Sequence, residues 1–268
     1  MSAVVVRLLA ALFWLVATTS PAWALAASGS GLAGSPHDFT KPSNSAYQGD
    51  RKSDMCIFCH VPHNGKGAAG RSQWDQMATS ADNGTSGPQA SATFDYLPLW
   101  NHELTGNFAS YTTYQNGLGA PQAGAKASQA IASGRTPGST SLLCLSCHDG
   151  SVAINTYGNG SQLGGGATIA EAYIIGKDNY LGNHHPIGFD YDAVRSGDKE
   201  IRSADAASLT PTTTVRDHLY GPGNERMECG TCHSVHNTGN SGESLLWRSD
   251  ARSRLCLTCH DKGRYAAP

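Results

Sequence analysis

The sequence predicts a chain that is mostly irregular coil, with a few short helices and at most short strands, wrapped around bound groups rather than around a sheet. Three observations carry this expectation: long unpatterned runs of small residues, four copies of one motif of cysteine and histidine, and an internal duplication. The 268 residues are 39% hydrophobic and 15% charged, which describes a soluble chain of one or two domains.

The coil expectation comes from the small residues. Gly, at 31 residues, joins Ala, Ser, Thr and Asn in runs such as 79–93, 116–140 and 157–168. Neither a period of 3.6 nor a period of 2 persists there. A chain with so little pattern does not offset its conformational entropy with a side-chain core alone. Something else is expected to fill the interior.

The cysteines indicate what that is. All eight fall in four C-x-x-C pairs, each followed directly by histidine: Cys56, Cys59 and His60; Cys144, Cys147 and His148; Cys229, Cys232 and His233; Cys256, Cys259 and His260. This is the attachment pattern of a c-type haem. Thiols three residues apart lie on one side of a helical turn and can each form a thioether with one vinyl group, while the adjacent imidazole binds iron as the proximal ligand. Disulfides or paired zinc sites would use the same cysteines, but neither explains a histidine after every pair. Four haem c groups, each with its iron, are therefore expected.

The order of the motifs shows a duplication. Cys56 to Asn64 is followed by Leu97-Pro98-Leu99-Trp100 and then by Leu143 to Asp149. Cys229 to Asn237, Ser244-Leu245-Leu246-Trp247 and Leu255 to Asp261 repeat those elements in order. Two dihaem units result, at about 36–150 and 184–262, the first with a long insertion after its tryptophan.

Seven histidines remain as candidate distal ligands: His37, His63, His102, His184, His185, His218 and His236. His63 and His236 occupy equivalent places, three residues beyond a proximal histidine, and each is expected to reach a neighbouring haem rather than its own. His37 and His185 precede the two units, and each is followed closely by phenylalanine, Phe39 or Phe189. Asp38 is a candidate to orient His37. His185 is preferred to His184 because Pro186 restricts its backbone to extended conformations. His102 has no counterpart in the second unit, where Ser249 takes its place; it and His218 are expected to be hydrogen-bonded loop residues.

Residues 1–26 stand apart from this domain. Arg7 comes first, an apolar run spans Leu8 to Val16, and small residues follow at Ala22-Trp23-Ala24 and Ala24-Leu25-Ala26. That order describes a secretory signal peptide, with an apolar centre too short for a mature membrane helix. The mature domain is 27–268, without a membrane span and exported to the periplasm, the cell surface or beyond.

PHDF, CIFCHVPHN, LPLW, LCLSCHDG, HHPIGF, CGTCHSVHN and LCLTCHDK together resemble the doubled CxxCH multihaem c-type cytochromes, in particular the tetrahaem subunits of extracellular cytochrome nanowires. The resemblance runs from about Pro36 to Lys262. It implies haems with two histidine ligands in a continuous chain, little regular secondary structure, and electron conduction. It also implies distal ligands at His37, His63, His185 and His236, with one histidine shared between neighbouring subunits of a homopolymer. The alternative within electron transfer is a monomeric periplasmic shuttle that serves other redox proteins as donor and acceptor.

Other classes fit poorly. An enzyme acting on a small nitrogen oxide needs an iron with an open position, whereas distal histidines outnumber the four irons and no C-x-x-C-K unit is present. Nucleic-acid binding lacks a basic cluster, with Lys and Arg at 19 against 21 acidic residues. Loss of Arg7 makes the formal charge of −2 more negative by one, and two propionates on each haem add about −8.

Overall fold

The computed structural model describes residues 31–40, 55–60, 100–105, 107, 111–114, 132, 135–157, 168–238 and 245–262. Regular structure among them is short. Helix α1 spans Ser139–His148, strand β1 Phe189–Asp190, helix α2 Tyr191–Gly197, strand β2 Arg226–Met227, helix α3 Cys229–Cys232 and helix α4 Arg254–Cys259. The two strands form an antiparallel pair with Phe189 opposite Met227 and Asp190 opposite Arg226. No helix among the described residues is long and apolar enough to cross a membrane.

Helix α1 forms where the leucines begin. Leu142, Leu143 and Leu145 are buried against Trp100, Leu104 and Leu181, so burial of one face stabilises ten residues that lack a side-chain N-cap. The helix stops at Asp149-Gly150, where Gly150 takes a φ of +74°. A side chain there would also meet Ile174, at 2.7 Å from its Cδ1, so this turn demands glycine.

A second apolar cluster, Phe189, Tyr191, Val194, Leu209, Val215, Leu219 and Met227, lies under β1, β2 and α2. Asp190 starts α2 by accepting the Ala193 N–H at 2.9 Å. A third cluster is aromatic: Phe58 touches Phe39 at 5.3 Å and Tyr157 at 5.2 Å between ring centres. Side-chain clusters therefore accompany the glycine-rich runs. They gather apolar residues from between those runs, and Cys59, Cys147 and Cys259 pack against them.

The first and third motifs each carry a β-bridge from the proximal histidine, in different registers. His60 pairs with Trp100, but His233 pairs with Leu246, so the tryptophans that align in sequence sit one residue out of register. A slip of one residue turns a side chain to the other face. Trp100 accordingly lies edge-on to His60 at 5.9 Å, whereas Trp247 donates its indole N–H to the Gly230 carbonyl at 2.9 Å. In this register Arg248, not Ser249, is the counterpart of His102.

Glu228 joins the two halves. It is 2% exposed, and both its carboxylate oxygens accept the Gly138 N–H at 3.1 Å. The Ser141 hydroxyl donates to the same carboxylate and accepts the Cys229 N–H at 3.0 Å, while Arg226 lies 3.6 Å away. Burial raises the carboxyl above its usual range, against the pull of Arg226 and the Ser141 and Gly138 donors. Glu228→Ala removes the acceptor from buried donors and opens a cavity between α1 and α3. We expect a loss of about 3 kcal/mol, read as a lower urea midpoint with unchanged slope.

Candidate functional site

Each C-x-x-C-H motif is built as one helical turn. The histidine N–H bonds to the carbonyl of the first cysteine at 2.8 Å for His60, 3.1 Å for His233 and 2.9 Å for His260; the second motif closes α1. In the first, third and fourth motifs the turn ends at the histidine. The carbonyl of the second cysteine then accepts a cross-chain N–H: Asn101 to Cys59 at 2.9 Å, Trp247 to Cys232 at 3.1 Å and Arg202 to Cys259 at 2.8 Å. His233 and His260 accordingly have extended backbones. One turn holds two sulfurs on one side, and the abrupt change to extended chain turns the imidazole out beside them. None of the eight cysteines is engaged in a disulfide, so all are available as thioether donors.

The structure brings proximal and distal histidines together in three pairs. Ring centres are 6.1 Å apart for His37 and His148, 6.1 Å for His60 and His236, and 6.3 Å for His185 and His260. A metal-to-imidazole bond is about 2 Å, so two rings gripping one metal from opposite sides have centres roughly 6 Å apart. The three pairs fit a six-coordinate haem iron. The first and third join members of one repeat, and the second crosses between repeats.

Tautomers agree with this fit. Nδ1 lies 3.0 Å from the Tyr173 carbonyl oxygen in His148, 3.4 Å from that of Val235 in His37, and 2.8 Å from that of Pro186 in His185. A proton on Nδ1 donates to the carbonyl and leaves the Nε2 lone pair for a metal. Burial, followed by the charge of His148, lowers His37 to about 4. His236 and His260 are lowered by burial first and then by His60 and His185. At neutral pH these imidazoles are uncharged, the form that binds a metal.

The motifs also adjoin one another in chain order. Cys59 and Cys147 pack against one apolar cluster, the Cys229 N–H bonds to Ser141 on the helix that carries Cys144, and Cys259 lies close enough to Cys232 to help burial raise its thiol. Burial pushes the Cys59 thiol up to about 11 and the Cys232 thiol to about 12. Cys56 and Cys256, at the two ends of the series, are exposed.

The other candidates are placed differently, with His102 beside the second motif, its Nε2 3.5 Å from the Cys147 sulfur. His63 lies outside the described residues. His102 is 1% exposed, with its ring nitrogens 2.7 Å from the Glu103 carbonyl and 3.0 Å from that of Ala153. His218 bonds to the Thr213 hydroxyl at 2.8 Å and lies 4.3 Å from the Trp247 ring. The His184 N–H holds a turn through the Leu181 carbonyl at 3.1 Å. Asp38, expected to orient His37, accepts the Gly34 N–H at 2.7 Å and the Thr40 hydroxyl at 2.5 Å; a carbonyl from the other repeat faces the His37 ring instead. Phe39 lies 6.0 Å from His37, but Phe189 is in the apolar core.

Sequence reasoning missed the carbonyls that face the imidazoles, because main-chain acceptors leave no trace in residue identity. It also missed Asp149, although an aspartate follows the histidine in the second motif of each repeat. Asp149 is 5% exposed and accepts from Thr105 at 2.5 Å, Tyr111 at 2.7 Å and the Ser151 N–H at 2.8 Å, which ties the turn after His148 to Thr105 and Tyr111. Asp261, its counterpart, is exposed and pairs with Arg202 at 3.0 Å.

A chain of little regular structure, with repeated turns presenting two thiols and an imidazole, defines the class of covalent haem-binding proteins. The profile of the doubled CXXCH motif family matches residues 221–265, the third and fourth motifs, and supports a multihaem c-type cytochrome of electron transfer with covalently bound haem c. No curated protein matches the chain.

Asp149 makes acid stability testable. Burial pushes its carboxyl up, but the Thr105, Ser151 and Tyr111 donors outweigh this and hold it below the usual range. A lowered pKa contributes stability that is present above the unfolded value and lost as pH falls through the folded one. Between about pH 5 and pH 2 the wild type should lose more melting temperature than Asp149→Asn, measured by thermal scans of the haem-loaded protein.

Proposed function

We propose that this protein is an exported tetrahaem electron carrier whose irons each take two histidines. The observation that carries this reading is the set of three imidazole pairs at 6.1 to 6.3 Å. His60, His148, His233 and His260 serve as proximal ligands, with the cysteine pairs before them as thioether donors. His37 serves the haem of His148, His185 that of His260, and His236 that of His60. The repeat assigns His63 to His233, the reciprocal of the His236 exchange. Haem iron held this way supplies a reversible one-electron couple with no open position for substrate.

Carriage rather than catalysis follows from the ligand count. Contacts in motif order support a path from the first haem to the fourth, and exposure of Cys56 and Cys256 suits electron exchange with partner proteins at the two ends. Export rests on the signal pattern of residues 1–26. The nanowire reading requires a histidine that reaches a neighbouring subunit, yet His37, His185 and His236 each face a proximal histidine of their own chain. The geometry therefore favours a self-contained carrier, and the filament rests on the resemblance and on His63.

Intact mass should exceed the processed polypeptide by four haems, and the spectrum should be fully low-spin, unchanged by carbon monoxide in the reduced state. His185→Ala should turn one haem high-spin while His184→Ala leaves the spectrum unaltered. A high-spin wild type that responds to nitrite would instead identify an enzyme. Negative-stain images of filaments would restore the nanowire subunit.

A further inference from the structure

Asn237 follows a distal histidine and is wholly buried, at 0% exposure. It adopts a left-handed backbone, φ +53°, closed by its own N–H to the Ser234 carbonyl at 2.8 Å. Its side chain reaches in two directions. The amide nitrogen donates to the Gly31 carbonyl at 3.0 Å, and Oδ1 accepts the Leu245 N–H at 3.0 Å. The Asn237 carbonyl also accepts the Gly31 N–H at 3.0 Å, so Gly31 is held by both its polar groups.

That clamp joins two stretches bearing distal histidines. Gly31 leads into the turn that ends at His37, whose Nδ1 faces the Val235 carbonyl two residues before Asn237. His236 is the immediate neighbour of Asn237 and faces His60. Few side chains meet the demands of the position: one donor and one acceptor on a short stem, with tolerance of the left-handed region. Aspartate keeps the acceptor and loses the donor; alanine loses both and deprives the part-buried Gly31 carbonyl and Leu245 N–H of this partner.

We propose that Asn237 is a positioning residue that seats the distal histidines of two different haems, His37 toward His148 and His236 toward His60, by clamping the N-terminal arm onto the loop after the third motif. This rests on the two-histidine ligation proposed above. Releasing the arm returns conformational freedom to His37, which then meets its iron only part of the time.

The test compares full-length, haem-loaded wild type, Asn237→Ala and Asn237→Asp by absorption and magnetic circular dichroism. In Asn237→Ala about one to two haems should gain high-spin character at ambient temperature, and added imidazole should restore the low-spin spectrum. Asn237→Asp should affect the haem facing His37 most. The change should be less than additive with His37→Ala, since both act on one iron. Gly31→Pro lacks the N–H and cannot keep the φ of +88° found there, so it releases the arm from the clamp while leaving Asn237 in place; it should reproduce the His37 effect, which keeps the test open if the alanine variant does not fold. Variants that melt at lower temperature yet stay fully low-spin would overturn the clamp and leave Asn237 a purely structural residue. A wild type already high-spin would defeat the ligation reading instead.

Discussion

Three pairs of imidazoles face each other across about 6 Å, and under the proposed two-histidine ligation this spacing is the constraint on which the rest of the chain depends. Residue 37 is brought to 148, 60 to 236 and 185 to 260. Loop-closure cost grows only logarithmically with length, so such remote pairs cost little more than near ones once something holds their ends. Here the ends are held by hydrogen bonds of turns and bridges rather than by long helices or sheets. The Nδ1 contacts to main-chain carbonyls complete the arrangement, since they set which nitrogen is free to face its partner.

The apolar clusters and the motifs depend on each other. Cys59 packs against two clusters and Cys259 against the third, so the thiols edge the core rather than stand apart from it. Glu228 sits where the second and third motifs meet and bonds to backbone from the other repeat. A buried carboxylate is costly unless satisfied, and here the Gly138 and Ser141 donors and the Arg226 charge offset that cost. The junction it stabilises is the one at which Cys144 meets Cys229 and the two repeats become one series.

The repeats are alike in their local turns and different in what surrounds them. Asp149 is buried under Thr105 and Tyr111, while Asp261 is exposed beside Arg202. Trp100 borders its proximal histidine, and Trp247 has moved one residue along to bond with Gly230 and lie against His218. The motif turns match because thioether attachment demands one geometry of two thiols and an imidazole. The flanking segments were free to diverge because hydrogen bonds and apolar contacts can be met by many residues.

Much of the site was legible from spacing alone. The C-x-x-C-H turns follow from chemistry within a few residues, where the chain dictates its own geometry. Pairing was not legible. Which distal histidine faces which proximal one, the slipped tryptophan register, the reach of Asn237 to Gly31 and the burial of Glu228 join residues far apart in sequence. Short-range pattern carries no record of such contacts, because they arise only when turns, carbonyl acceptors and apolar clusters close simultaneously in three dimensions.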